Sequence, residues 1–597
     1  MVTNQTIYEQ LKELWFYISS KRRAQLLVLF LLTIISSFAE VISIGAVLPF
    51  LGVLTAPEKI LELKTALPFI RFFDISNAEQ LLLPITILFG IAILFSGFMR
   101  LILLWFQTKL SYAIGADISL NIYRRTLYQP YYVHISRNSS ELIVGITSKA
   151  NNMVNFAVLP ILTIFSSFII ISTIMLMLIS IDPTVALSTF VGFGFMYFLI
   201  IVFTKKKLFK SSQEISHESN QVVKALQEGI GGIREIIING NQSYYYNIYK
   251  NSDSKLRNAN ANIHVLSASP RYVIETLGMF LIVGIAYLLA SRPEGIDAAI
   301  PILGALALGA QRILPVLQQA YQGWSSILGS QATLNDVLNL LKQPLPASIQ
   351  NNEIKPLSFR NDIRLQKTSF RYSPDSPWVL EGIDVSFKKG NRIGFVGSTG
   401  CGKSTLMDLI MGLFLPDEGQ ILIDNEPVTE SNKRQWQANI SHVPQTIFLS
   451  DSTVAENIAF GVQRDQIDFD KVKYAAKQAQ ISEAIESWDN KYETRVGERG
   501  IKLSGGQRQR IGIARALYNE ANFIVLDEAT SALDTETEEA VMESINGLSR
   551  ELTILIVAHR LSTLKNCDQI VELDNGKVKR IGTYDQIISS TRENYKL

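Results

Sequence analysis

The chain has 597 residues, enough for several domains. Its residues are 47% hydrophobic and 18% charged, and its mean hydropathy is +0.18, which argues against a wholly soluble protein and for membrane spans. A formal net charge of +2 argues against a nucleic-acid partner, and two cysteines exclude a disulfide framework or a cysteine metal cluster.

The N-terminal stretch MVTNQTIYEQLKELWFYISSKRR is charged and amphipathic where a cleavable signal would carry an apolar core, so no such signal is expected. Six stretches then reach the roughly 20 apolar residues a bilayer core demands: about 24–54, 81–105, 156–181, 184–204, 272–291 and 298–320. Lys21, Arg22 and Arg23 precede the first stretch, Arg124 and Arg125 follow the second, and Lys205, Lys206, Lys207 and Lys210 follow the fourth. The bias of basic residues towards the cytoplasm puts both termini and the segments 106–155 and 205–271 on that side. These two segments are polar yet helical in period. They read as extensions of the spans into the cytoplasm, with tips near 128–141 and 226–239. The outer segment 55–80 carries Ile60, Leu63, Leu67 and Ile70 at helical spacing. Its helix would lie either in the membrane interface or against protein.

Arg100, Arg271 and Arg312 fall in or at the ends of spans, at roughly 28, 30 and 21 Å from the outer ends of straight helices. Arginine near a cytoplasmic end can simply extend its head to water. Arg312 lies deeper, where a charge usually faces a cavity and a guanidinium fork suits phosphate. The three are expected as a site for an anionic headgroup, with Glu40 and Glu275 pairing with them or tuning the same cavity.

From about 321 to 362 apolar density falls and Pro344, Pro346 and Pro356 appear, giving a transmembrane domain over 1–330, a linker over 331–362 and an α/β domain over 363–597. The α/β domain holds GSTGCGKS, Gly397 to Ser404, between an apolar strand and a helix beginning Thr405-Leu-Met. Glycines let such a loop turn its N–H groups around a phosphate chain, and the helix adds the positive end of its dipole. Lys403 would reach the outer phosphates and the Ser404 hydroxyl would hold Mg²⁺. Further on, Phe523-Ile-Val-Leu526 runs into Asp527 and Glu528, placing one carboxylate to order Mg²⁺ through water and the next to polarise an attacking water. Leu503-Ser-Gly-Gly-Gln507 precedes a helix and forms a second anion-binding surface. His559 ends a further apolar strand, within reach of a γ-phosphate.

Over nearly its whole length the chain resembles the ATP-binding cassette exporters. GSTGCGKS is similar to Walker A, which implies nucleotide contacts from Gly397, Ser398, Thr399, Gly400, Cys401, Gly402, Lys403, Ser404 and Thr405. FIVLDE resembles Walker B, and LSGGQ is the family signature in full form, implying nucleotide contacts from Ser504, Gly505, Gly506 and Gln507. Gln445 resembles the Q-loop residue that joins catalysis and Mg²⁺ binding, Asp534 the D-loop aspartate, His559 the switch histidine and Tyr372 the aromatic residue that stacks on adenine. VGERG, Val496 to Gly500, resembles the loop by which exporters sense their spanning helices.

The resemblance implies a six-helix exporter-type transmembrane domain followed by a P-loop nucleotide-binding domain, with ATP and Mg²⁺ as cofactors and Glu528 as general base. One cassette per chain implies a half-transporter that pairs with a second copy of itself, or with a similar chain, in the inner membrane with the cassette cytoplasmic. Among these exporters the chain looks most like the flippases for lipid-linked oligosaccharides, on SPRYVIETLG (269–278), GAQRILP (309–315) and Arg100. In those flippases span arginines face the pyrophosphate of a polyprenyl-linked sugar, which implies that role for Arg100, Arg271 and Arg312 and makes membrane lipid a partner. The alternatives are an exporter of another lipid, drug or peptide, and a membrane ATPase that does not transport.

Overall fold

The computed structural model describes residues 6–55, 78–181, 183–290, 295–345, 354–529, 533–549, 551–558 and 561–587. It divides into two compact units, one of Met1–Gln129 with Val133–Leu345 and one of Pro130–Tyr132 with Pro346–Leu597. Of the outer segment 55–80, expected to be amphipathic, residues 56–77 lie outside the described residues.

The first unit is helical. Its helix α1 (Ile7–Tyr17) starts at a capping box: the Thr6 hydroxyl accepts from the Glu9 amide, and the Glu9 carboxylate accepts from the Thr6 amide. Helices α2 (Ser20–Gly45) and α3 (Val47–Thr55) divide the first apolar run, expected as one span over 24–54. The physical reason is Pro49, which has no N–H to offer the Gly45 carbonyl one turn back.

Helix α4 (Leu82–Leu127) has 46 residues and is therefore about 69 Å long, roughly twice the hydrocarbon thickness, so much of it stands clear of a bilayer. After the short helix Tyr131–Ser136 the chain climbs back through two π-helical turns, Gly145–Lys149 and Val154–Val158, into α5 (Leu159–Ile181). Helices α6 (Pro183–Gly231) and α7 (Gln242–Ala290) have 49 residues each and are joined by the short helix Ile233–Asn239, which Gly240 closes at φ 66°. Then come α8 (Gly295–Gly329) and α9 (Gln331–Leu341). Among the described residues, Ser20–Gly45, Leu82–Leu127 and Ser139–Ser180 are long and apolar enough to cross a membrane.

Helix α9 falls in the segment expected as linker. Leu334, Val337, Leu338 and Leu341 recur at helical spacing and are fully buried with Ile114, Ile118, Ile122 and Met153. Two ion pairs hold it: the buried Lys149 ammonium lies 2.6 Å from Asp336, and Lys342 lies 3.0 Å from Glu13. Residues 331–345 therefore belong to the helical unit.

The second unit contains two sheets. An antiparallel sheet runs β2 (Leu380–Lys388), β1 (Asp362–Phe370), β4 (Glu418–Ile423), β5 (Glu426–Pro427). The second runs in the order β10 (Lys577–Gly582), β9 (Gln569–Asp574), β3 (Arg392–Gly397), β8 (Thr553–Val557), β7 (Phe523–Asp527), β6 (Ile440–Val443). Its β9-β3-β8-β7-β6 ladder is parallel, and β10 adds on antiparallel. Both faces of this sheet are covered. Phe395, Phe523, Val525, Leu555 and Val557 pack on one side, and Val396, Ile524, Leu526, Ile554 and Ile556 on the other. That explains why its strands are unbroken apolar runs. In such sheets ligands bind beyond the carboxyl ends of the strands, the end from which the site residues emerge.

Candidate nucleotide site and membrane cavity

Strand β3 ends at Gly397, and helix α10 (Lys403–Ile410) begins six residues later. Two turns of the loop need left-handed backbone: Gly400 has φ 83° and Gly402 has φ 101°. Gly397 is required for space, because a Cβ there would come within 2.3 Å of the Leu573 carbonyl oxygen and 2.7 Å of Cys401 Sγ. The buried Lys403 ammonium turns back into the loop, donating to the carbonyls of Gly397 (2.8 Å) and Ser398 (3.0 Å). A loop shaped by glycines, with an ammonium folded inside and a helix N-terminus behind, fits a chain of phosphates.

Sheet order brings the acidic residues close. Strand β7 delivers Asp527, and the next residue, Glu528, takes φ 50°, a left-handed conformation that costs a non-glycine about 1–2 kcal/mol. Its amide donates to the Val557 carbonyl of β8 at 3.0 Å, which holds the turn. Strand β6 lies beside β7, so Gln445, two residues past its end, donates its amide N–H to the Glu528 carboxylate at 2.5 Å. Asp408, on α10, has its carboxyl pushed up to about 6, chiefly by burial and then by the negative charge of Asp527.

The remaining sequence candidates sit as follows. The Tyr372 hydroxyl lies 2.9 Å from Thr405 Oγ1, and its ring meets Phe370 and Phe414 edge-on at 5.2 and 5.6 Å. Ser504 caps helix α11 (Gly505–Tyr518) in a capping box with Gln507, which presents the amides of Gly505 and Gly506 at the helix start. Asp534 caps α12 (Thr535–Asn546) by accepting from the Thr537 amide and hydroxyl, both at 2.9 Å, bonds that hold its carboxyl below the usual range. Among the described residues, neither Ser504–Gln507 nor Asp534 makes a hydrogen bond or ion pair with the phosphate loop. His559 lies outside the described residues.

In the helical unit two of the three arginines meet. Arg100 of α4 and Arg312 of α8 flank the buried Glu40 of α2, with Nε atoms 3.5 and 3.3 Å from its carboxylate oxygens. The Ser96 hydroxyl donates to the same carboxylate. Glu40, Arg100 and Arg312 edge a cavity of about 650 Å³ whose wall also carries Gln107, Thr163, Ser167, Gln311 and Gln319. Arg271 does not join them. It stands on α7, 4.0 Å from Glu275 one turn along, with both side chains more than half exposed. Ser96, Gln107 and Thr163 were not singled out in the sequence, although polar residues inside apolar runs were the available signal. Gln107 Nε2 donates to Thr163 Oγ1 at 2.7 Å, a link between helices that one-dimensional reading cannot pair.

A P-loop nucleotide site on a parallel sheet, in one chain with apolar helices long enough to span a bilayer, defines an ATP-driven membrane machine. The description "ABC transporter transmembrane region" matches residues 24–292, and "ABC transporter" matches 380–531. The chain is 31% identical to the ATP-dependent lipid A-core flippase of Chromohalobacter salexigens, over 66% of this chain and 67% of the relative. It is 29% identical to the putative multidrug export ATP-binding/permease protein YgaD of Bacillus subtilis, over 81% and 82% of the two chains. The solved structure of a bacterial Atm1-family ABC exporter with ATP bound superposes at a TM-score of 0.75, covering 95% of this chain and 96% of that one, with 21% identity. The chain belongs to the ATP-binding cassette exporters and is a half-transporter, with one transmembrane region and one ATP-binding region. It binds ATP and hydrolyses it in step with transport across a membrane, its ATP-binding unit in the cytoplasm.

Proposed function

We propose that this transporter flips a lipid-linked oligosaccharide, a polyprenyl-pyrophosphate sugar or a related polysaccharide precursor, across the inner membrane. The observation that carries this reading is the convergence of Arg100 and Arg312 on one cavity within the helical unit, whose wall mixes polar and apolar side chains. A guanidinium offers paired donors to phosphate oxygens, and the glutamine, serine and threonine walls suit hydroxylated sugar. Arg271, on α7, would be a separate contact along the headgroup's route. By its name, the lipid A-core relative is itself a lipid flippase, while the multidrug relative keeps open another lipid, drug or peptide as cargo.

In the ATP-binding unit we assign Glu528 as general base, Gln445 as the residue that positions it, and His559 as the γ-phosphate contact. Ser404, Asp527 and Gln445 offer the oxygen donors a hard cation such as Mg²⁺ takes. That ion would neutralise charge on the transferred phosphate. Nucleotide contacts come from residues 397–405 and Tyr372, with Ser504–Gln507 and Asp534 belonging to the opposing copy's site. The homodimer draws support from Ile230, Ile233, Ile237 and Ile238, which stand exposed around the turn between α6 and α7 and offer an apolar face for a second copy to cover. Spans over 24–54, 81–105, 156–181, 184–204, 272–291 and 298–320 belong to the same proposal.

The test is ATP-dependent movement of a polyprenyl-pyrophosphate saccharide between leaflets of liposomes carrying the purified protein. Movement by the parent, lost in Arg312→Ala and Arg100→Ala while ATP hydrolysis persists, is the expected result. Robust hydrolysis with no movement by the parent would overturn this cargo.

A further inference from the structure

The cavity already holds an anion of its own. Glu40 has a side chain only 5% exposed, whereas Arg100 and Arg312 are 46% and 27% exposed. The carboxylate is thus the most buried of the three charged groups, and all three line the cavity. Its Oε1 is 3.3 Å from Arg312 Nε, its Oε2 is 3.5 Å from Arg100 Nε, and Ser96 donates to Oε2. Neither guanidinium makes a hydrogen bond to the protein among the described residues, so attraction to Glu40 is what orients both. Among the described residues, the charged ones lining the cavity are these three, giving a local balance of one excess positive charge.

That balance sorts ligands by charge. A monoanion entering the site either shares the guanidiniums with Glu40, which repels it, or replaces one negative charge by one and leaves a buried carboxylate unpaired. A dianion meets both guanidiniums with one charge each and gains a pairing that Glu40 cannot supply. Selectivity then comes from a repulsive element beside the attractive ones.

We propose that Glu40 is the displaceable counter-ion of this cavity and sets its charge selectivity. It holds Arg100 and Arg312 in place when no headgroup is bound, and it yields them to a headgroup with two negative charges, such as a pyrophosphate diester, over one with a single charge. Glu40 is a positioning residue, acting through the two arginines. This inference rests on the reading of the cargo as a polyprenyl-pyrophosphate saccharide.

The test measures ATP hydrolysis by the full-length protein in lipid nanodiscs against increasing polyprenyl-pyrophosphate saccharide, which carries two charges, or polyprenyl-phosphate saccharide, a phosphodiester that carries one, each curve normalised to that variant's own basal rate. The parent is expected to reach half-maximal stimulation at a lower concentration of the diphosphate lipid. Glu40→Gln lowers both concentrations and lowers that of the singly charged phosphodiester by about tenfold more, so discrimination collapses. Ser96→Ala keeps every charge, frees Glu40 from its hydroxyl partner and shifts selectivity the same way by about two- to threefold. Stimulation of Glu40→Gln with the parent's selectivity overturns the counter-ion role and leaves the cargo reading standing. Should Glu40→Gln fail to fold, unchanged selectivity in Ser96→Ala does the same. A parent that answers to neither lipid overturns the cargo reading, and the selectivity assigned to Glu40 falls with it.

Discussion

The phosphate loop and the arginine cavity both have the chemistry to hold phosphate, yet they are built in opposite ways. The loop draws on eight consecutive residues, Gly397 to Ser404, and its donors are backbone amides shaped by glycine. The cavity draws on side chains from α2, α4 and α8, more than 270 positions apart at the extremes, and its donors are guanidiniums held by a buried carboxylate. A backbone cradle is rigid and tolerates little change. A side-chain cluster is adjustable, and its selectivity depends on what lies behind it.

The largest contrast between the two regions should come from Glu528→Gln. Loss of the general base should cut phosphate release by about 10²–10⁴-fold while ATP binding persists, measured by hydrolysis and by nucleotide-dependent thermal shift. Hydrolysis at the parent rate would sink the assignment. The next effect sharpens the comparison within the helical unit. Arg312→Ala and Arg100→Ala should each weaken stimulation by the pyrophosphate lipid by about 10- to 100-fold, the worth of a charge-assisted contact, whereas Arg271→Ala should cost less. Equal losses at all three would mean that Arg271 reaches the same headgroup despite its distant pairing with Glu275.

Gly397→Ala should destabilise the ATP-binding unit by about 1–3 kcal/mol, because the new methyl meets the Leu573 carbonyl at 2.3 Å. Gly97→Ala in α4 meets nothing within 4 Å and should be neutral or slightly stabilising, both read by thermal unfolding. The smallest expected effect is linked to pH. Asp408 titrates near 6 when folded against 3.8 ordinarily, so the unfolded chain loses its proton first as pH rises. Stability from this group is full below about pH 4 and falls between about pH 4 and pH 6. Asp408→Asn should therefore raise the melting temperature of nucleotide-free protein at pH 7.5, by the equivalent of on the order of 1–2 kcal/mol, and leave it unchanged at pH 4. A larger gain at acid pH would contradict the burial of that carboxyl.

Much of the architecture was legible because it is local. Strand, glycine loop and helix around Lys403 are adjacent in the chain, and the capping boxes at Thr6 and Ser504 follow from three-residue spacing. The break between α2 and α3 was equally local, carried by Pro49, but hydrophobicity alone hid it. Helix α9 was legible too, in the spacing of Leu334, Val337, Leu338 and Leu341, and was masked by the prolines that follow it. The strained turn at Glu528 has no signal in residue type, since glutamate has no preference for φ 50°; the adjacent strands impose it.

The sequence by itself determined that this chain is a membrane exporter half with a P-loop ATPase, because apolar run length and contiguous motifs are properties of neighbouring residues. Only the tertiary structure decided which arginines share a site. Depth along a helix put Arg100, Arg271 and Arg312 at related levels, but depth says nothing of azimuth or of which helices touch. Packing brought α2, α4 and α8 together around Glu40, joined Arg100 to Arg312 there, and left Arg271 with Glu275.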